Sequence, residues 1–123
     1  MKIYRHRFFL PDKKVGFIDI SGHVLKSRFG PDKKIGQVDF RTGKIYQHRF
    51  GPDDCFGHVD LENGRIYLQR FGPDEYVGRV KENGKLYHHV PLGGDDYVGR
   101  VVGDDLFAGG GAALLLFFTP DVN

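Results

Sequence analysis

The chain has 123 residues, enough for one domain with a modest core. Its 18 basic and 16 acidic residues leave a formal net charge of +2, too small to imply a polyanionic partner. A lone cysteine, Cys55, excludes an internal disulfide and a cysteine-based zinc cluster, and suits a reducing, cytoplasmic setting.

The first element is already a repeat. "MKIYRHRFFL" lacks the apolar stretch of a signal peptide and opens the first of five copies of one phrase, starting at Ile3, Val24, Ile45, Ile66 and Leu86. Each copy is about 20 residues long. The consensus is roughly Ile-Tyr-x-His-Arg-Phe-Gly-Pro-Asp-x-x-Val-Gly-x-Val-Asp-x-x-Gly-Lys. Runs such as "IYQHRF" and "CFGHVDL" are rich in β-branched and aromatic residues and are bounded by turn chemistry. "GPD" starts a type I turn with proline at its first central position. "SG", "TG" and "NG" close hairpins in which glycine supplies positive φ. No copy carries helical periodicity. Residues 1–123 therefore read as a single all-β domain, an antiparallel meander of five hairpins and about ten strands.

Loop lengths set the expected register. "DISGHV" and "KENGKL" are expected to close with the two-residue loops Ser21-Gly22 and Asn83-Gly84, and "FRTGK" and "LENGR" with one residue more. Ile18 then faces Leu25, Val38 faces Tyr46, Val59 faces Tyr67 and Val80 faces Tyr87. On that register Tyr46, Tyr67, Tyr87, Val38, Val59, Val80, Phe29, Phe50 and Phe71 share the core face, while Gln47, Arg49 and Arg79 face water. A one-residue slip would exchange the faces. Gly16, Gly36, Gly57, Gly78 and Gly99 fall inside strands, where glycine weakens a sheet. They are expected to let a large side chain lie across the backbone or to bend the sheet.

Such a sheet must cover its apolar face. A closed or nearly closed barrel is favoured because it leaves no exposed edge; an open sheet completed by a second subunit is the alternative. After the fifth copy, Leu106 and Phe107 restart the phrase, which becomes "AGGGAALLLFF". Residues 106–110 are expected to pair with the strand holding Gly99. Behind a glycine hinge, residues 114–118 are expected to cover the core face as a plug or a sealing strand. Periodicity does not decide between strand and helix for residues 112–118. The apolar run is too short to span a bilayer.

The chemistry is spread in columns. His6, Ser27, His48, Gln69 and His89 share one position of the repeat. On the expected register they form an internal polar column, a candidate ligand-contacting ring, since histidine carries protons and binds metals and barrels hold ligands. No carboxylate shares the column, so no catalytic, cofactor-binding or metal-binding set is assigned. Arg7, Arg28, Arg49 and Arg70 form a second column. Asp12, Asp32, Asp53 and Asp74 recur beside it and would repel phosphate, so a solvated ladder paired with acids is expected rather than a nucleic-acid track. "GPDDC" and "GGDDY" lack the dense alternating Asp/Gly pattern of calcium-binding β-rolls. "GFIDISGHV" and "VDLENGRIY" resemble WG repeats and the YD repeats of large toxin shells over the Gly-x-Val-Asp-x-x-Gly-Lys half of each copy. WG repeats are longer and the YD pair is missing, so the resemblance carries over no function.

Near-identical copies distribute residues evenly, whereas catalysis needs one asymmetric constellation. The sequence thus reads as a non-enzymatic β-repeat module acting in protein interaction or assembly. Its expected partners are other proteins, or a second copy bound through a sheet edge or the C-terminal segment. A small-molecule-binding barrel using the internal His/Gln/Tyr column is the alternative, and nucleic-acid binding ranks third. No cofactor is expected.

Overall fold

A computed structural model describes residues 1–119. The strands in chain order are β1 (Lys2–Arg5), β2 (Lys13–Ile18), β3 (His23–Lys26), β4 (Lys33–Val38), β5 (Lys44–Gln47), β6 (Asp54–Val59), β7 (Arg65–Leu68), β8 (Glu75–Val80), β9 (Lys85–His88) and β10 (Asp96–Val102). All neighbours are antiparallel. β1 pairs with β10 as well as with β2, from Lys2 opposite Val102 to Arg5 opposite Gly99, so the meander closes into a barrel. Closure satisfies the backbone groups that an open sheet would leave along two edges.

The register lies one residue from the expected one, and the cause is in the hairpin turns. Ile18 pairs with Val24, Val38 with Ile45, Val59 with Ile66 and Val80 with Leu86. Asp19 N donates to His23 O at 3.0 Å, and Asp39 N to Lys44 O at 2.9 Å, so each loop holds one residue more than a glycine-centred turn would. Aspartate side chains brace three of these loops; the fourth matches the length of the first with Lys81 in that place, Lys81 N donating to Lys85 O at 2.9 Å. Asp19 Oδ1 accepts from the amides of Ser21 and His23 at 2.9 Å, and Asp39 Oδ1 from that of Arg41 at 2.9 Å. In these loops an Asx turn precedes the glycine. For Asp39 the Arg41 amide is the main cause of a lowered carboxyl pKa; for Asp19, desolvation opposes the lowering, and hydrogen bonds from His23 and Ser21 outweigh it.

The slip turns over the first strand of each copy and leaves the second as expected. Ile3, Ile18, Val24, Ile45, Ile66 and Leu86 are buried, together with the expected Val38, Val59 and Val80. Contrary to expectation, Tyr46, Tyr67 and Tyr87 are half-buried on the outside, and Phe29, Phe50 and Phe71 are fully exposed. A second irregularity recurs in every copy. Ile3 is opposite Gly16 but Tyr4 is opposite Lys14, leaving Val15 as the extra residue of a β-bulge; Ile35, Phe56, Val77 and Val98 repeat it. The bulge resets the pleat. The bulged side chain packs against the core, and the glycine after it is buried as well.

The C-terminal segment fills the interior. Residues 106–110 do not form a strand, and the glycines are no hinge. The chain forms α1 (Leu106–Ala113) and then a π-helical turn (Leu114–Phe118), threaded inside the ring. A closed ring has no free edge to pair with, whereas a helix satisfies its own backbone. Glycines cost a helix about 1 kcal/mol each, but this bore is narrow. A Cβ on Gly110 would lie 2.6 Å from Val80 Cβ, and one on Gly111 2.6 Å from Val59 Cβ.

The plug expected of residues 114–118 is present, with a specific fit. Successive side chains address successive strand glycines around the ring: Leu114 at Gly78, Leu115 at Gly57, Leu116 at Gly36, Phe117 at Gly16 and Phe118 at Gly99. A Cβ on Gly57 would sit 2.7 Å from Leu115 Cδ1, and one on Gly78 2.6 Å from Leu114 Cδ2. An α-helix turns in about 3.6 residues, too tightly for one residue per repeat. The wider i→i+5 winding of a π-turn comes closer to one circuit in five.

Candidate functional site

The two ends of the barrel differ. At the hairpin end, Met1, Phe40 and Phe107 pack onto the core, and the Met1 ammonium donates to Ile18 O at 2.7 Å. At the proline-turn end, Leu115, Leu116 and Phe117 form the floor of a cavity of about 870 Å³, with the bulged Val15, Ile35 and Phe56 in its walls. Arg5, Arg7, Lys13, Lys14, Lys26 and Lys33 line it, and no Asp or Glu does so among the described residues.

The register explains the charge. At this mouth the first two copies place Arg5 opposite Lys13 and Lys26 opposite Lys33. The other three place Gln47 opposite Asp54, Leu68 opposite Glu75 and His88 opposite Asp96. Like charges directly opposite each other destabilise a sheet. The arginine column answers to the same difference. Arg49 Nε pairs with Asp54 at 2.9 Å and Arg70 Nη2 with Glu75 at 2.9 Å, as a solvated ladder should. Arg7 and Arg28 have lysines in the corresponding places and donate instead to the carbonyls of Pro11 and Pro31, at 2.9 and 2.8 Å. Among the described residues the six cavity cations form no ion pair. Arg5 lies over the Phe118 ring, 5.3 Å from its centroid, where the ring face attracts a cation.

The polar column expected inside the barrel is outside it, a consequence of the one-residue slip. His6, His48 and His89 each turn Nδ1 to the aspartate of their own proline turn, at 3.5 Å from Asp12, 2.9 Å from Asp53 and 3.3 Å from Asp95. The His6 and His89 rings lean on Tyr97 and Tyr76, at centroid distances of 4.7 and 5.0 Å. Desolvation first, then the carboxylate of Asp95, raises the Tyr76 phenol; Tyr97 is raised likewise beside Asp12. Gln69 is exposed, and Ser27 alone of the column lines the cavity. No group of three or more His, Cys, Asp or Glu able to hold a metal occurs among the described residues. No helix among them is long and apolar enough to cross a membrane.

The residues that build the cavity were written plainly in the chain. The first two proline turns continue as "PDKK", the later ones as "PDDC", "PDEY" and "GDDY". A consensus averages this difference away. No family model, curated protein or solved structure matches the chain.

Proposed function

We propose that the protein is a non-enzymatic binding module that receives an anionic ligand with a short apolar portion in the cavity at the proline-turn end. One observation carries the reading: cations from two adjacent copies converge over an apolar floor, and no carboxylate lines the cavity among the described residues. An anion would relieve the repulsion across the Arg5–Lys13 and Lys26–Lys33 rungs, through charge-assisted hydrogen bonds stronger than neutral ones. An alkyl group would lie against Leu115 and Phe117. The small-molecule reading of the sequence is thus kept, with different residues. Assembly through a sheet edge or the C-terminal segment has less support, because β1 and β10 pair with each other and that segment occupies its own barrel. The unpaired Cys55 thiol suits the reducing interior of a cell, where we place the protein.

Octyl phosphate, below its micellar concentration, is the probe. Calorimetric titration is expected to give saturable one-to-one binding, weakened about tenfold or more by Lys26→Glu or Arg5→Glu and unchanged by His48→Ala. Octyl glucoside, with the same chain and no charge, is expected not to bind. Equal affinity for the glucoside, or no binding of the phosphate, would overturn the reading.

A further inference from the structure

We infer that the first two proline turns dock on the surface of an anionic lipid bilayer. Every proline turn carries one exposed apolar tip, but the first carries a run. Phe8 is 80% exposed, Phe9 103% and Leu10 58%, and Phe29 in the neighbouring turn is 107% exposed. Exposed apolar residues scattered singly are ordinary, whereas a contiguous patch marks an interaction surface.

Backbone conformation at Phe9 adds an independent argument. Phe9 has φ +60°, a left-handed conformation costly for a bulky L-residue. In the next three copies the corresponding place is Gly30, Gly51 or Gly72, with φ between +96° and +100°; the fifth turn holds the exposed Leu92 at φ +64°, so the strain is shared with that turn and only the run Phe8–Leu10 is peculiar to the first. The first copy therefore holds a strained phenylalanine in water, where nothing in the chain rewards it with burial.

Charge complementarity selects the occupant. The strands that lead into and out of these two turns carry the cavity cations Arg5, Lys13, Lys26 and Lys33, and Arg7 directly precedes Phe8. Clustered cations near a membrane are drawn to anionic headgroups, as at the cytoplasmic leaflet. Aromatic side chains beside such cations enter the boundary between headgroups and acyl chains, so apolar burial and charge add. The opposite side of the same end provides the contrast. Phe50 and Phe71 are each 111% exposed, but the aspartate that all four turns share is followed there by Asp54 and Glu75, where the first two turns have Lys13 and Lys33. The barrel would thus meet the bilayer tilted onto its first two copies.

The inference shares its cations with the cavity reading, while the aromatic tips are its own. Sedimentation with sucrose-loaded vesicles tests it, using phosphatidylcholine alone and phosphatidylcholine mixed with phosphatidylserine. Binding is expected only with phosphatidylserine and should fall as salt is raised. Phe9→Gly combined with Phe29→Ser is expected to weaken it by about tenfold or more. Phe71→Ser should leave it within about twofold. Phe9→Gly alone should raise the melting temperature while weakening vesicle binding, which keeps loss of fold apart from loss of docking. Octyl phosphate binding should survive the double variant, so the two readings fail separately. Equal binding to phosphatidylcholine alone, no binding, or an equal loss from Phe71→Ser would overturn the inference. So would self-association without vesicles that the double variant abolishes, since the patch would then be an interface between copies.

Discussion

The hairpin end and the proline-turn end are built from the same five copies, yet their glycines live in different surroundings. At the hairpin end, a Cβ on Gly22, Gly43 or Gly64 would run into the carbonyl of Val38, Val59 or Val80. At the proline end, a Cβ on Gly30, Gly51 or Gly72 would meet nothing within 4 Å. Asp19, Asp39 and Asp60 bind the turn amides of the first end, and Met1 and Phe107 pack beneath. The second end presents phenylalanines to water over a charged cavity. A repeat thus fixes the backbone at both ends equally, while unrepeated residues and copy-specific substitutions decide which end is sealed and which is available.

Loosening the plug should have the largest effect, since the plug is the floor of one end and continues the seal of the other. Leu115→Ala should destabilise by about 2–5 kcal/mol, as large-to-small changes in full burial do. Urea unfolding followed by circular dichroism would measure it. A cost below about 1 kcal/mol would place Leu115 in a site that collapses easily, against its fit over Gly57.

Two glycines sharpen the contrast between the ends. Gly43 and Gly51 both have positive φ, at +80° and +100°. Alanine at either should cost about 1–2 kcal/mol from the left-handed backbone alone. Gly43→Ala adds the clash with Val59 O, so the difference between the two variants isolates packing at the hairpin end. Equal melting temperatures would contradict it.

The smallest effect has the opposite sign. Lys33→Glu turns the Lys26–Lys33 rung into an opposite-charge pair and should stabilise the barrel by about 0.2–1 kcal/mol. The same change should weaken octyl phosphate binding. A variant that melts higher and binds worse is the signature of a site kept at a cost in stability. Lys33→Glu that melts lower would show that the repulsion is already relieved.

Much of this was legible in the chain. The copies, the antiparallel meander and barrel closure follow from turn chemistry and from the need to leave no sheet edge. The register was not, because every hairpin closes one residue further out than a glycine-centred turn, braced by aspartate at Asp19, Asp39 and Asp60 but formed equally at Lys81. One residue of error was enough to put Phe50 and the histidine column on the wrong face. The helix was hidden for a different reason. Gly109, Gly110 and Gly111 are poor helix formers, and they are tolerated only because Met1, Val80 and Val59 press against them in turn. That pressure exists only once the ring has closed. The cavity lay in the departures from consensus at Lys13, Lys14, Lys33 and Lys34, which reading for similarity suppresses.

The winding of residues 114–118 also bears on how this chain could have changed in copy number. Open repeat arrays lengthen or shorten freely, because each unit touches only its neighbours. Here every copy supplies one interior glycine, and a segment written only once supplies one side chain for each of them. A duplicated copy would widen the ring and leave a glycine facing empty space. A lost copy would leave a leucine or phenylalanine with no recess to occupy. Either event would need a matching insertion or deletion in the segment that encodes the plug, in the same generation or close to it. The plug therefore acts as a tally of the repeats, and it holds their number still while the turns around the rim remain free to diverge.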